Sequence, residues 1–168
     1  MAPRAGLSAI GHPLRAAAGP RQETRLIERT SFSVPFLQIH TTRTTSPDTK
    51  HALGAALADA YGEIMQTSAR IVNVGFVAYA AGDLGRYDAP GGVPREMVIV
   101  TCDVRDGRTP AQHESLGRTI VALCAASLGV AEDRIAVYLT EHASQHIYRD
   151  GGPAPAWSAA EASSPAKG

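Results

Sequence analysis

Between residues 35 and 150 the chain alternates two kinds of apolar pattern. Four short runs, Pro35–His40, Ile71–Tyr79, Glu96–Asp103 and Arg134–Thr140, are rich in Val, Ile and Phe and predict strands of a buried sheet. Two longer stretches instead repeat apolar residues at helical spacing, as Leu53, Ala56, Leu57, Ala60 and Ile64, and as Leu116, Ile120, Leu123, Cys124 and Ser127. The starts of these helices are well marked. Ser46 and Thr109 are N-cap residue types, and Pro47 and Pro110 fall at the first helical position, where no amide hydrogen is needed. Thr109 with Gln112 has the spacing of a capping box, and Gly129 suits a left-handed cap at the end of the second helix.

A shift of 63 residues lays one half of this pattern on the other, matching Ser46-Pro47 to Thr109-Pro110, Leu53 to Leu116, Leu57 to Ile120, Val72 to Ile135, Val74 to Val137 and Phe76 to Leu139. Each half reads strand, helix, strand, with Gly82, Gly85, Gly91 and Gly92 in the link. The fold class expected is therefore α/β: two tandem β-α-β units, parallel within each unit, forming a four-stranded sheet with both helices on one face. The other face would be bare, and such a face is normally buried against another copy, which predicts an oligomer. A ferredoxin-like split βαβ domain has the same order of elements, and periodicity does not separate the two.

Composition narrows the function. The 168 residues carry 16 Lys+Arg against 16 Asp+Glu, so a nucleic-acid or anionic-membrane partner is not expected. The balance is uneven along the chain: residues 1–34 hold five Arg against two Glu, whereas 35–168 hold 11 basic against 14 acidic residues. Residues 1–34, with their scattered Pro and Gly, read as a disordered arm or a mis-annotated extension, 35–150 as the folded domain, and 151–168, whose one large apolar residue is Trp157, as a flexible tail. The apolar stretches fall short of the roughly 20 residues of a membrane span. No secretory h-region precedes the domain, although the Arg-rich start leaves a transit-peptide reading open, and the cytoplasm is the compartment expected. Cys102 and Cys124 have neither zinc-ligand nor disulfide spacing and read as small buried residues. His142 and His146 are four apart without a surrounding helical zinc motif, so no metal is expected.

Four segments carry a family resemblance: Val34-Pro35-Phe36-Leu37-Gln38-Ile39-His40, the helix entry Ser46-Pro47-Asp48-Thr49-Lys50-His51-Ala52, the loop Arg105-Asp106-Gly107-Arg108, and Asp133-Arg134-Ile135-Ala136-Val137-Tyr138. Over these, the chain resembles the tautomerase superfamily, and most of all its cis-3-chloroacrylic acid dehalogenase branch. The resemblance implies the β-α-β doublet rather than the ferredoxin-like fold, a homotrimer with sheets facing inward, a small carboxylate substrate and no cofactor. It also implies that Pro35 is a catalytic base. A secondary amine at a free chain terminus near cations loses its proton more easily than an ordinary α-amino group, whereas a proline within a chain is an amide with no basic nitrogen. Without the resemblance, Pro35 would read as an edge-strand proline.

The 34 residues before Pro35 therefore matter. Three explanations are open: translation begins at Val34, a protease removes the arm, or the chain is a variant without this base. Arg105 and Arg108, placed just after the third strand and before a helix N-terminus, would bind a carboxylate; the alternative is a solvated turn beside Asp103 and Asp106. Tyr138 matches a substrate-contacting tyrosine of the branch, or is a core aromatic. Two matched positions depart from the branch: Tyr61 stands where it has a histidine, and Arg149 where it has a water-activating glutamate. Hydration and dehalogenation are thereby weakened, with Glu141 the nearest replacement carboxylate. The expectation is a cofactor-independent keto–enol tautomerase of small 2-oxo acids, with catalytic Pro35 and Tyr138 and substrate-binding Arg105, Arg108, Tyr61 and Arg149. The alternatives are a hydratase or dehalogenase of 3-substituted acrylic acids and a non-catalytic assembly protein.

Overall fold

The computed structural model describes residues 35–88, 90–149 and 151–160. The expected arm over residues 1–34, the tail over 161–168 and the Arg149 side chain lie outside the described residues. In chain order the elements are β1 (Phe36–Thr41), α1 (Pro47–Ile64), β2 (Asn73–Ala78), β3 (Val98–Arg105), α2 (Pro110–Leu128), β4 (Ile135–His142) and a two-stranded hairpin of β5 (Tyr148–Arg149) and β6 (Gly152–Pro153). The main sheet has the order β2-β1-β3-β4. β1 runs parallel to β2 and β3 parallel to β4, while β1 and β3 meet antiparallel at the centre. This is the doublet of β-α-β units, joined through their first strands.

The helix starts form as their residue types dictate. Ser46 Oγ accepts from the Thr49 amide at 3.1 Å, and Thr109 and Gln112 bond reciprocally as a capping box. Gly129 closes α2 at φ 62°, ψ 40°. Strand ends differ by a few residues from the apolar runs. Ile71 lies in a single 3-10 turn (Ala69–Ile71), so β2 starts later, and β3 and β4 run on to Arg105 and His142 because the ladder between them continues past the last apolar residue.

Side chains alternate across the sheet. Leu37 and Ile39 of β1 and Val98, Val100 and Cys102 of β3 point to the helices and meet Leu53 and Leu57 of α1 and Leu116, Ile120 and Cys124 of α2 in one core with almost no solvent exposure. At about 1.5–3 kcal/mol for each buried large aliphatic side chain, this layer is the main source of stability. The opposite face carries Gln38, Ile99, Thr101, Ala136 and Tyr138 and has no layer over it among the described residues. Tyr138 there is 58% exposed. Among the described residues no helix is long and apolar enough to cross a membrane.

Candidate active site

Three chain segments converge where β1 begins and β3 ends. Phe36 pairs with Asp103 in the antiparallel ladder, so Pro35, the next residue back, stands beside Val104 and one position from Arg105. Pro35 is buried, and its carbonyl accepts from the Asn73 amide at 3.0 Å, which fixes the strand's first residue in the sheet. Arg105 is the last residue of β3 rather than part of the loop after it, paired across to His142.

Both arginines are turned inward. Arg105 is 4% exposed and Arg108 8%. Arg108 donates through Nη1 to the Arg105 carbonyl at 2.9 Å and through Nε to the Met65 carbonyl at 3.4 Å, so its guanidinium sits at the C-terminal end of α1, where the helix dipole favours a cation. Arg105 Nη1 donates to the Pro155 carbonyl at 2.8 Å. The Trp157 ring lies under the Arg108 guanidinium, 4.6 Å from its carbon to the ring centroid, and the indole nitrogen donates to the Gln66 carbonyl at 3.4 Å. The segment from Gly151, which composition alone reads as a flexible tail, thus lies across both arginines. It is held there by the β5–β6 hairpin and by the amide of buried Ala154 on the Ile147 carbonyl at 2.7 Å. The solvated-turn alternative for the arginines does not describe this arrangement.

Tyr61 joins the same end of the fold from α1 and is 1% exposed. Burial, aided by Cys102, pushes its phenol well above the usual range, and the guanidiniums of Arg108 and Arg105 pull only partly against this. Tyr61 is therefore neutral at any ordinary pH and cannot replace a histidine as a proton acceptor; it can hold an oxygen by donating its hydroxyl hydrogen.

Other sequence candidates fall elsewhere. Tyr138 pairs with Thr101, four residues before His142, the partner of Arg105, so about 13 Å of strand separates it from that end within one protomer. It projects from the bare face and is not a core aromatic. Arg149 belongs by its backbone to β5. Glu141 faces the α2 side, with His113 Nε2 3.5 Å from its carboxylate.

One pair escaped the sequence reading. His142 Nε2 lies 2.9 Å from Asp103 Oδ1 on the bare face, at the wall of a cleft of about 480 Å³ lined by Phe36, Asn73, Asp103, Val104, His142 and His146. The signal existed in the alternation of β3 and β4, which brings residues 103 and 142 diagonally opposite, but reading it requires the register. A histidine held by a carboxylate beside the first residue of β1 can accept or relay a proton. No three His, Cys, Asp or Glu side chains gather in a metal-binding group among the described residues.

No protein-family model matches the chain, and no curated protein matches it by sequence. Solved structures do. A fused 4-OT, a symmetric trimer, is 26% identical with a TM-score of 0.63, covering 71% of this chain and 94% of its own. A member of the cis-3-chloroacrylic acid dehalogenase family is 22% identical with a TM-score of 0.64, over 72% of this chain and 84% of that one, and the macrophage migration inhibitory factor of Toxoplasma gondii is 17% identical with a TM-score of 0.59, over 68% and 96%. The last two likenesses are of fold. With its paired β-α-β units, its β2-β1-β3-β4 sheet and these neighbours, the chain belongs to the tautomerase superfamily.

Proposed function

We propose that the protein is a cofactor-independent tautomerase of small 2-oxo acids whose base is the nitrogen of Pro35 when that residue is the chain terminus. The observation that carries this reading is the position of Pro35: buried at the start of the central strand β1, beside Val104, with Arg105 one position on and Arg108 and Tyr61 at the same end of the fold. Arg105 and Arg108 supply charge-assisted donors for a carboxylate, and their positive field disfavours the protonated amine, lowering its pKa. The free amine takes the enol hydroxyl proton and returns a proton to the adjacent carbon, so the keto acid forms with no net change in oxidation state. Tyr61 can steady an oxygen, and a second carboxylate contact is assigned to Arg149 as part of the same proposal.

The assembly proposed is a homotrimer through the bare face of the sheet, which carries Ile99, Ala136 and Tyr138; the fused 4-OT neighbour is itself a trimer. Tyr138 would then touch a neighbouring protomer, bringing it closer to a site than its own chain allows. The dehalogenase reading needs a carboxylate to activate water, and Glu141, the nearest candidate, faces the α2 side, 3.5 Å from His113 Nε2.

Enol-to-keto conversion followed by ultraviolet absorbance tests the reading, with the full chain compared with a form beginning at Pro35. The trimmed form is expected to be active and the full chain much weaker. Pro35→Ala in the trimmed form should lose roughly 10²–10⁴-fold, as removal of a general base does. Full activity in that variant overturns the assigned base, and an inactive trimmed form favours the assembly-protein alternative.

A further inference from the structure

The contact between the tail and the arginines goes beyond this reading while resting on its carboxylate site. We propose that residues 152–157 form a strap that occupies the arginine site when no acid is bound, with Trp157 controlling which carboxylates gain entry.

Four observations support it. The Pro155 carbonyl oxygen accepts from Arg105 Nη1 at 2.8 Å, using a charge-assisted donor that could instead serve a carboxylate oxygen. The indole covers the Arg108 guanidinium face at 4.6 Å. The loop beneath is shaped for the ring: Gly107 has φ +99°, and a β-carbon built there would come within 3.3 Å of Trp157 Cε3, so any larger residue would push the ring away. The strap is anchored at its base but loosely held at its tip. Ala154 is buried and hydrogen-bonded to Ile147, whereas Pro155 and Ala156 are exposed and the one hydrogen bond from the Trp157 side chain, to Gln66, is long. Gln66 itself has φ 51°, so its carbonyl is presented to the indole from a turn that ends α1.

An incoming carboxylate must therefore exchange with the Pro155 carbonyl and uncover Arg108. Binding is reduced by the fraction of chains whose strap is closed, and weakening the strap removes that reduction. A small acid must shift the indole far enough to reach Arg108, and a bulkier one must displace it farther.

Trp157 is the chain's sole tryptophan, so its emission reports the strap directly. Pyruvate titrated into the full chain is expected to change that emission saturably, relative to chloride at equal ionic strength. Calorimetry with pyruvate should show about tenfold tighter binding in Trp157→Ala, the loss of one stacked cation contact, with Trp157→Phe between. Equal or weaker binding in Trp157→Ala, with wild-type binding intact, overturns the strap and leaves the carboxylate site standing. No pyruvate binding in the wild type or in either variant overturns the carboxylate site and the strap with it.

Discussion

Gln112 Nε2 donates to the Ile64 carbonyl at 2.9 Å, joining the first turn of α2 to the last turn of α1. Backbone amides of Met65 and Thr67 close the last turn on the Tyr61 and Gly62 carbonyls, and three side chains from outside α1 take up carbonyls that follow: Gln112 on Ile64, Arg108 on Met65 and Trp157 on Gln66. Arg108 thus supports the fold as well as facing the proposed substrate. Arg108→Met, which keeps the stem and removes the donors, is expected to lower the urea unfolding free energy by about 2 kcal/mol, the usual effect of stranding buried acceptors. Gln112→Ala should cost about 1 kcal/mol through the lost capping box. A loss below about 0.5 kcal/mol in Arg108→Met would show that the guanidinium's bonds to the backbone are incidental.

The elements of the fold were legible because each half repeats the same local instructions. Ser46-Pro47 and Thr109-Pro110 begin their helices as their chemistry requires, and Val98, Val100 and Cys102 alternate as a strand with one buried face must. The proline-led strand, the arginine loop and the Tyr61 helix also lie at one end of the fold in the structure. Two things depended on information that no local pattern carries. The position of Tyr138 along β4 follows from register, which places it opposite Thr101 instead of Arg105. The seating of Trp157 on Arg108 joins residues 49 apart through a segment of Gly, Pro and Ala, whose composition gives no apolar period to follow.

The buried cysteines predict an alkaline weakness. Burial pushes the Cys124 thiol from a usual 9.0 up to about 11, and burial together with neighbouring Asp103 pushes Cys102 up to about 12. Both thiols stay protonated in the folded chain while the unfolded chain ionises, so their contribution is fully present below pH 9 and is lost as pH rises toward 11 and beyond. Each thiol adds up to about 1.4 kcal/mol per pH unit to the decline. Urea titrations at a series of pH values should show this slope, and Cys124→Ala should be shallower between pH 9 and 11 whatever its cost in packing. An unchanged slope would show that this thiol ionises as easily folded as unfolded.

Two helical glycines should respond to alanine with opposite signs. Gly117 on α2 has nothing within 4 Å of where a β-carbon would stand, so Gly117→Ala gains helix propensity alone, about 1 kcal/mol of added stability. Gly62 lies inside α1, but a β-carbon there would come to 3.0 Å from the Ala69 nitrogen and 3.1 Å from the Thr67 oxygen, both backbone atoms of the turn that leads to β2. The propensity gain is then opposed by forced movement of that turn, typically 1–3 kcal/mol for overpacking, and Gly62→Ala should be the less stable variant by thermal denaturation. A stabilised Gly62→Ala would mean that the turn yields without cost.

Tyr138 gives the sharpest test of the assembly, because its ring points away from its own core. It is flanked on the same face by Ala136 and, across β3, by Ile99 and Thr101, a patch of small and apolar side chains beside one large aromatic. In a protomer on its own, replacing a 58% exposed tyrosine with arginine would leave stability within about 0.5 kcal/mol, as surface substitutions do. In a trimer built on this face the same change buries a charge without a partner, which costs several kcal/mol at each interface and is repeated three times by symmetry. Sedimentation of Tyr138→Arg should therefore show dissociation to folded protomers under conditions where the wild type is trimeric, with the far-ultraviolet circular dichroism retained. A variant that remains trimeric would place the assembly on another surface, and with it the role of Tyr138 at a neighbouring protomer would fall.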